Sequence, residues 1–214
     1  MLRIWGRRNS INVQKVMWAV GELNLPHEHI DAGGAFGGLD TEEFGAMNPS
    51  RRVPVIDDDG VVVWESHAIV RYLAAKYGAG SLWPEDSGNR ARSDMWMDWA
   101  ATELQPAFIG LFWNLYRTPE PQRNWNLIRQ GIARSAILFR LLDRQLEARN
   151  FIAGDVLTIG DIPAATQLYR YFELEIDRPS LPSVEAWYER LKEREAYRTH
   201  VMVPFNDLEG RLSF

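Results

Sequence analysis

The 214-residue chain contains no cysteine. That absence excludes disulfide frameworks, thiolate metal sites and a protein thiol nucleophile. No apolar run approaches the ~20 residues needed to span a bilayer. No charged-then-apolar leader with a small-residue cleavage site opens the sequence. The net charge of −5 is spread along the chain rather than gathered in a tail. Arg7-Arg8 and Arg51-Arg52 are the two arginine pairs, and the other basic residues are scattered, which argues against a nucleic-acid binder. The expectation is a cytoplasmic protein with neither a nucleic-acid nor a membrane partner. The histidines His27, His29, His67 and His200 show no i,i+4 pairing around an acid, so no metal is expected. His27 and His29 would share one face of a strand and read as partly exposed side chains.

The chain does contain enough apolar residues, 46%, for a sizeable core. Nine tryptophans speak for deep packing, with some available to line an apolar pocket.

Leu2 to Trp5 reads as a short strand, after which Ile11, Val13, Val16, Met17, Val20 and Leu23 recur at helical spacing. Asn24-Leu25-Pro26 ends that helix, "HEHID" reads as a second strand, and "AGGAFGGLDTEEF" reads as a glycine-rich loop. "VPVI" and "VVVW", joined by "DDDG", have the form of a hairpin, and Ser66 to Tyr77 reads as a helix. The order βαβ then ββα makes a small mixed sheet with helices on its faces. Beyond "YGAGSLWPEDSGN" the spacing predicts helices alone, over 88–116, 120–148, 158–173 and 183–195. Three segments follow: an α/β unit over 1–78, a linker over 79–87 and an all-helical unit over 88–214. In "LTIGDIPAA", Thr158 and Asp161 have capping-box spacing, and Leu157 with Ile162 that of a hydrophobic staple. Asp161 is therefore expected to be structural.

Chemistry concentrates in "NPSRRVPVIDDDGVVVWESHAIVRYL". A cis bond before Pro54 would turn the Val53 N–H and C=O outward, free to pair with an extended, peptide-like ligand. Ser66 at a helix N-cap satisfies backbone donors. The same helix terminus suits a ligand carboxylate, and the neighbouring Glu65 suits an ammonium. Together they fit an α-amino-acid head.

This stretch resembles the glutathione-binding, thioredoxin-like domain of the cytosolic glutathione transferases. The helical remainder, including "LTIGDI", is similar to that family's second domain, so the resemblance covers the whole chain. It implies an α/β thioredoxin-like N-terminal domain followed by an all-α C-terminal domain. It also implies a cis Pro54, pairing of the Val53 backbone with the cysteinyl unit of glutathione, and Glu65 and Ser66 at the γ-glutamyl end. Arg52 matches the basic residue near the glycyl carboxylate, and His67, where the family more often has a small residue or Asn, is expected to matter little. The family places its thiol-activating residue just after the first strand. No tyrosine stands there, and the layout N-S-I-N-V-Q-K is similar to bacterial-type, theta-, zeta- or nu-like classes that use Ser or Thr with a nearby Asn. Ser10 and Asn12 occupy those places ahead of Lys15.

A free thiol has a pKa of about 8.5, and hydrogen-bond donors aimed at the sulfur lower it. Ser10, Asn12 and the N-terminal N–H groups of the first helix are such donors. Taken alone, Ser10 and Asn12 read as helix caps; with Val53-Pro54 and Glu65-Ser66 present, dual use is expected, with Asn9 a bystander. Phe108, Phe112, Trp113 and Tyr116 at helical spacing read as core before pocket, and the tail "VMVPFNDLEGRLSF" is placed to cover the site.

The resemblance implies an enzyme of detoxification that uses glutathione as co-substrate against a small apolar electrophile. It also implies a homodimer, in which Asp98 or Glu103 would reach the partner's glutathione amine. Two alternatives remain: glutathione-dependent disulfide or peroxide reduction, or isomerisation, at the same site, and a non-catalytic binding protein of this fold.

Overall fold

The computed structural model describes residues 1–212. Four strands, β1 (Leu2–Trp5), β2 (His27–Ile30), β3 (Val55–Asp58) and β4 (Val61–Trp64), form one sheet in the order β2-β1-β3-β4. β1 runs parallel to β2 and antiparallel to β3, and β3 pairs antiparallel with β4. This is the mixed sheet expected from a βαβ unit joined to a hairpin. The hairpin closes at Asp59-Gly60, both at positive φ (52° and 91°), the backbone that a tight two-residue turn requires.

Helix α1 (Ile11–Glu22) connects β1 to β2. Its apolar positions, Val13, Val16, Trp18, Ala19 and Val20 among them, are completely buried. One face packs on α3 (Ser66–Tyr77), through Ile69, Val70 and Leu73. The segment expected to be wholly a glycine-rich loop contains a short helix, α2 (Glu42–Met47). Thr41 starts it by accepting the Phe44 N–H at 3.2 Å, a cap that the surrounding glycines masked.

The helical part begins with α4 (Ser87–Trp99), capped by Asp86, and continues through α5 (Gln105–Phe112). The helix expected over 88–116 is interrupted by two wider π-type turns, Ala100–Leu104 and Trp113–Arg117. Such turns change which side chains share a face. The helix expected over 120–148 is shorter: α6 (Trp125–Leu146) begins at Asn124, whose Oδ1 accepts the N–H groups of Asn126 and Leu127. The segment 158–173 divides into α7 (Asp161–Ala165) and α8 (Leu168–Glu173). Two further α-helices follow, α9 (Pro182–Lys192) and α10 (Glu195–His200), and a 3-10 turn, Asn206–Leu208, lies in the tail beyond them. α1 also packs against α7 and α10, so the same helix that backs the sheet fixes the helical part to it.

Asp161 holds the start of α7. Its completely buried carboxylate accepts the N–H groups of Ile152 at 2.8 Å and Thr158 at 3.0 Å. Burial pushes it up to about 7 against the pull of those hydrogen bonds. This is the acidic half of a capping box; the Thr158 hydroxyl accepts from Gly160 N–H at 3.2 Å instead of the expected third position. No helix among the described residues is long and apolar enough to cross a membrane.

Candidate active site

β1 delivers the chain to the site, and Gly6 lets it turn there. At φ +155°, a Cβ on Gly6 would sit 2.4 Å from Val13 Cγ2 and 3.3 Å from Val53 Cβ. Only glycine lets the loop before Pro54 come this close to the start of α1. Ser10 occupies the N-cap of α1, yet its hydroxyl caps no backbone N–H. The capping role that competed with a functional one is therefore not taken up by the side chain.

Ser10, Asn12, Arg52 and Val53 line a single cleft of about 490 Å³. Pro54 is buried and its bond to Val53 is cis. Arg52 is exposed, and its backbone C=O accepts from Asn48 Nδ2 at 2.8 Å. Arg51, in contrast, spends its guanidinium on the Leu39 and Thr41 carbonyls at 2.8 and 2.9 Å. Glu65 and Ser66 do not line this cleft. The pairing of Val55 with Trp64 sets the Glu65 backbone beside Pro54, at the end of the hairpin. Ser66, expected as the N-cap of α3, is its first helical residue; Glu65 is the N-cap, at φ +69° and ψ 114°. A non-glycine residue held in that region carries about 1–3 kcal/mol of strain and is a frequent mark of a ligand site.

Asn12 is held from below. Its Oδ1 accepts from Lys15 Nζ at 3.0 Å and from Gln105 Nε2 at 3.3 Å. Lys15 is fully buried, and its Nζ also meets His67 Nε2 at 3.0 Å and donates to Gln105 Oε1. An ammonium has three N–H donors and no acceptor, so these three acceptors use it completely. Burial pushes the Lys15 ammonium down to about 7, with the charge of Glu65 acting in the opposite sense. Burial, with the charges of Lys15 and Arg71, holds His67 down to about 3. His67 is therefore a neutral ring at neutral pH, accepting on Nε2 with its proton on Nδ1.

With Oδ1 doubly occupied, Asn12 has only its two amide N–H groups to offer a molecule in the cleft. His67, expected to matter little, is one of three supports of that arrangement. Lys15 had a visible signal: it falls four residues after Ile11 and three before Trp18, on the face that the apolar spacing buries. Gln105 had none.

The far wall is apolar and comes from the helical part. Ile109, Phe112 and Trp113 line it, joined by Leu208 and Leu212 from the tail. Phe108 is core, fully buried, and Tyr116 stacks behind Phe112 with ring centroids 5.2 Å apart. The tail thus reaches the cleft through Leu208 and Leu212, while residues 213 and 214 of the stretch expected to cover the site lie outside the described residues. Asn9, read as a bystander, lines the cleft too; it donates to Asp207 of the tail, and its C=O accepts from Arg170. Asp98 and Glu103 each have a partner within the chain, Arg71 and Arg134. His27 and His29 bond the Leu25 and Gly6 carbonyls. Among the described residues no three His, Asp or Glu side chains gather as a metal site.

Residues 9–76 match the family model described as "Glutathione S-transferase, N-terminal domain", and residues 104–195 match "Glutathione S-transferase, C-terminal domain". The chain is 41% identical over 206 residues to Glutathione S-transferase GstB of Escherichia coli (strain K12), covering 95% of this chain and 99% of that relative. The chain belongs to the glutathione transferase family. Another glutathione transferase, Glutathione S-transferase 1 of Manduca sexta, is 32% identical over 202 residues, covering 90% of this chain and 88% of the relative. The theta class glutathione S-transferase of Xanthomonas axonopodis pv. citri, solved with glutathione bound, superimposes with a TM-score of 0.91 at 42% identity. That match covers 95% of this chain and 98% of the other. Glutathione transferase membership bears out the resemblance carried by the N-P-x-x-x-V-P and E-S-x-A-I patterns.

Proposed function

We propose that this family member is a cytoplasmic, homodimeric glutathione transferase that activates the glutathione thiol through Ser10 and Asn12. Glutathione lies along the sheet side of the cleft. Its cysteinyl unit pairs with the Val53 backbone, its glycyl carboxylate faces Arg52, and its γ-glutamyl head reaches Glu65 and the N-terminus of α3. The sulfur then stands at the start of α1.

The observation that carries this reading is the double occupation of Asn12 Oδ1 by Lys15 and Gln105. It turns the Asn12 side chain into a donor only, which is what a thiolate needs. The Ser10 hydroxyl, unengaged in capping, supplies a second donor, and the α1 N-terminus a third source of positive potential. These groups stabilise the sulfur anion before reaction, and the thiol proton leaves to solvent. The thiolate attacks an electrophilic carbon held against Ile109, Phe112 and Trp113. Rate comes from a high thiolate fraction and from holding the two reactants together.

The test is a panel of electrophiles assayed with glutathione, alongside thermal unfolding with and without millimolar glutathione. The reading requires a rise in unfolding temperature with glutathione and conjugate formation with aryl or alkyl halides. Protection with reduction of disulfides or peroxides alone would move the protein to the reductase alternative. No protection would leave a non-catalytic member of the fold.

A further inference from the structure

The histidines of β2 take no part in the catalytic cleft. They line a second cavity of about 330 Å³, which shares no lining residue with that cleft. The loop before α1 serves both: Arg7 and Asn9 line the catalytic cleft, and Arg8 between them lines the second cavity. Four basic side chains from three segments meet there. They are Arg8, His27 and His29 of the edge strand β2, and His200 at the end of α10. Among the described residues, no carboxylate lines this cavity. Glu22 of α1 and Glu195 of α10 line a different cleft with Arg194, and the exposed Glu28 and Asp31 of the β2 segment do not reach it.

The rings are fixed by their surroundings. His27 Nδ1 lies 2.9 Å from the Leu25 carbonyl, and His29 Nε2 lies 2.6 Å from the Gly6 carbonyl. A carbonyl only accepts, so those two nitrogens carry the protons, and His27 Nε2 and His29 Nδ1 are left to titrate. Protonation therefore adds a donor to each ring without breaking the bond that holds it. His200 is set by the close approach of α10 to α1: a Cβ on Gly21 would sit 2.9 Å from its Cδ2 and 3.1 Å from its Nε2. Burial first, then the charges of His27, Arg8 and His29, lowers His200. Every one of those charges is positive, and an anion in the cavity opposes them all. Much of the remaining lining is apolar, from Met17, Met202 and Val203.

We propose that this cavity is a binding site for a phosphate monoester with a small apolar body, separate from the glutathione site. Three imidazoles and a guanidinium offer more donors than the two oxygens of a carboxylate accept. A phosphate monoester brings three acceptor oxygens and a charge of about −1.5 to −2 near pH 7. Arg8 supplies the permanent charge and a planar fork for the phosphate oxygens, and the histidines gain protons as the anion enters. The apolar body rests on the methionines and Val203. The volume lies at the small end of the roughly 300–1,000 Å³ typical of ligand pockets, which restricts the body to about the size of one ring.

The chain has four histidines, so imidazole NMR reads the site in the intact protein. Phenyl phosphate is titrated at pH 7 into the untagged full chain, with millimolar glutathione present. The signals of His27, His29 and His200 are expected to move together along one saturation curve, with His67 unmoved, and the lowered titration of His200 to move back up. Calorimetry should find binding about tenfold weaker in Arg8→Gln, whose side chain is exposed, and in His27→Gln, each having lost one charged donor. Benzyl alcohol and benzoate, titrated in the same way, should produce little or none of this response. Three histidine signals that stay still at millimolar phenyl phosphate overturn the proposal. So does a response to benzyl alcohol or benzoate equal to that with phenyl phosphate, unchanged affinity in Arg8→Gln, or movement of His67 alone, which would put the ligand beside Lys15. The result does not depend on whether the protein conjugates electrophiles, so the two readings fail separately.

Discussion

Lys15 Nζ lies 3.0 Å from Asn12 Oδ1, with the lysine fully buried and the asparagine at the wall of the cleft. The pair makes Asn12→Asp an informative substitution. A carboxylate there gains an ion pair with Lys15 but has no N–H to offer a sulfur and repels a thiolate. Stability is expected to hold or rise, by about 1–3 kcal/mol, while kcat/KM falls about 100-fold. Chemical denaturation and steady-state kinetics on the same preparation check the two halves together.

Lys15 itself has a pH signature. Its ammonium is lowered from 10.5 to about 7 in the folded protein, so between those values the folded state binds fewer protons than the unfolded one. Stability from this group therefore rises as pH increases from about 7 toward 10.5, and is lost as pH falls through about 7. Lys15→Met keeps most of the stem volume and removes the titration. Urea midpoints across that range should climb in the wild type and climb less steeply in the variant.

Asp161 acts in the opposite sense over a different window. Its carboxyl is raised from 3.8 to about 7, so its contribution is fully present below about 4 and is lost as pH rises through about 7. Asp161→Ala should flatten that component. It should also cost about 3 kcal/mol, because it leaves the buried N–H groups of Ile152 and Thr158 without acceptors. Glutathione KM should not move in any variant fraction that remains folded, since Asp161 lies away from the cleft.

Glu65 separates strain from binding. Its φ of +69° suits glycine better than any side chain. Glu65→Gly is expected to leave stability unchanged or raise it by up to about 1 kcal/mol. On the proposed placement of glutathione, in which Glu65 meets the γ-glutamyl ammonium, the same change should weaken glutathione about tenfold. Calorimetric glutathione titration with a melting curve reads both.

The sheet was legible because Leu2–Trp5, "VPVI" and Val61–Trp64 are short apolar runs bounded by strong turn residues, although β3 runs on through Asp57 and Asp58, which read as turn. The helical face of α1 was equally plain from Ile11 to Val20. The π-type turns at 100–104 and 113–117 were not, because they conserve helical composition and change only the winding. Ser10, Asn12, Arg52 and Val53, which line the cleft, stood in local patterns at two chain segments. The supports of Asn12 did not: His67 and Gln105 stand 52 and 90 residues from Lys15, and only tertiary packing of α1, α3 and α5 unites them.

The most direct measurement is the pKa of the thiol of bound glutathione, read from thiolate absorbance in the wild type, Ser10→Ala and Asn12→Ala. The wild-type complex is expected to ionise below the free-thiol value of about 8.5. Each variant should shift it upward by about 1 unit, the loss of one hydrogen bond to the anion. An unshifted wild-type value, or the same value in all three proteins, would contradict thiolate stabilisation by these two side chains.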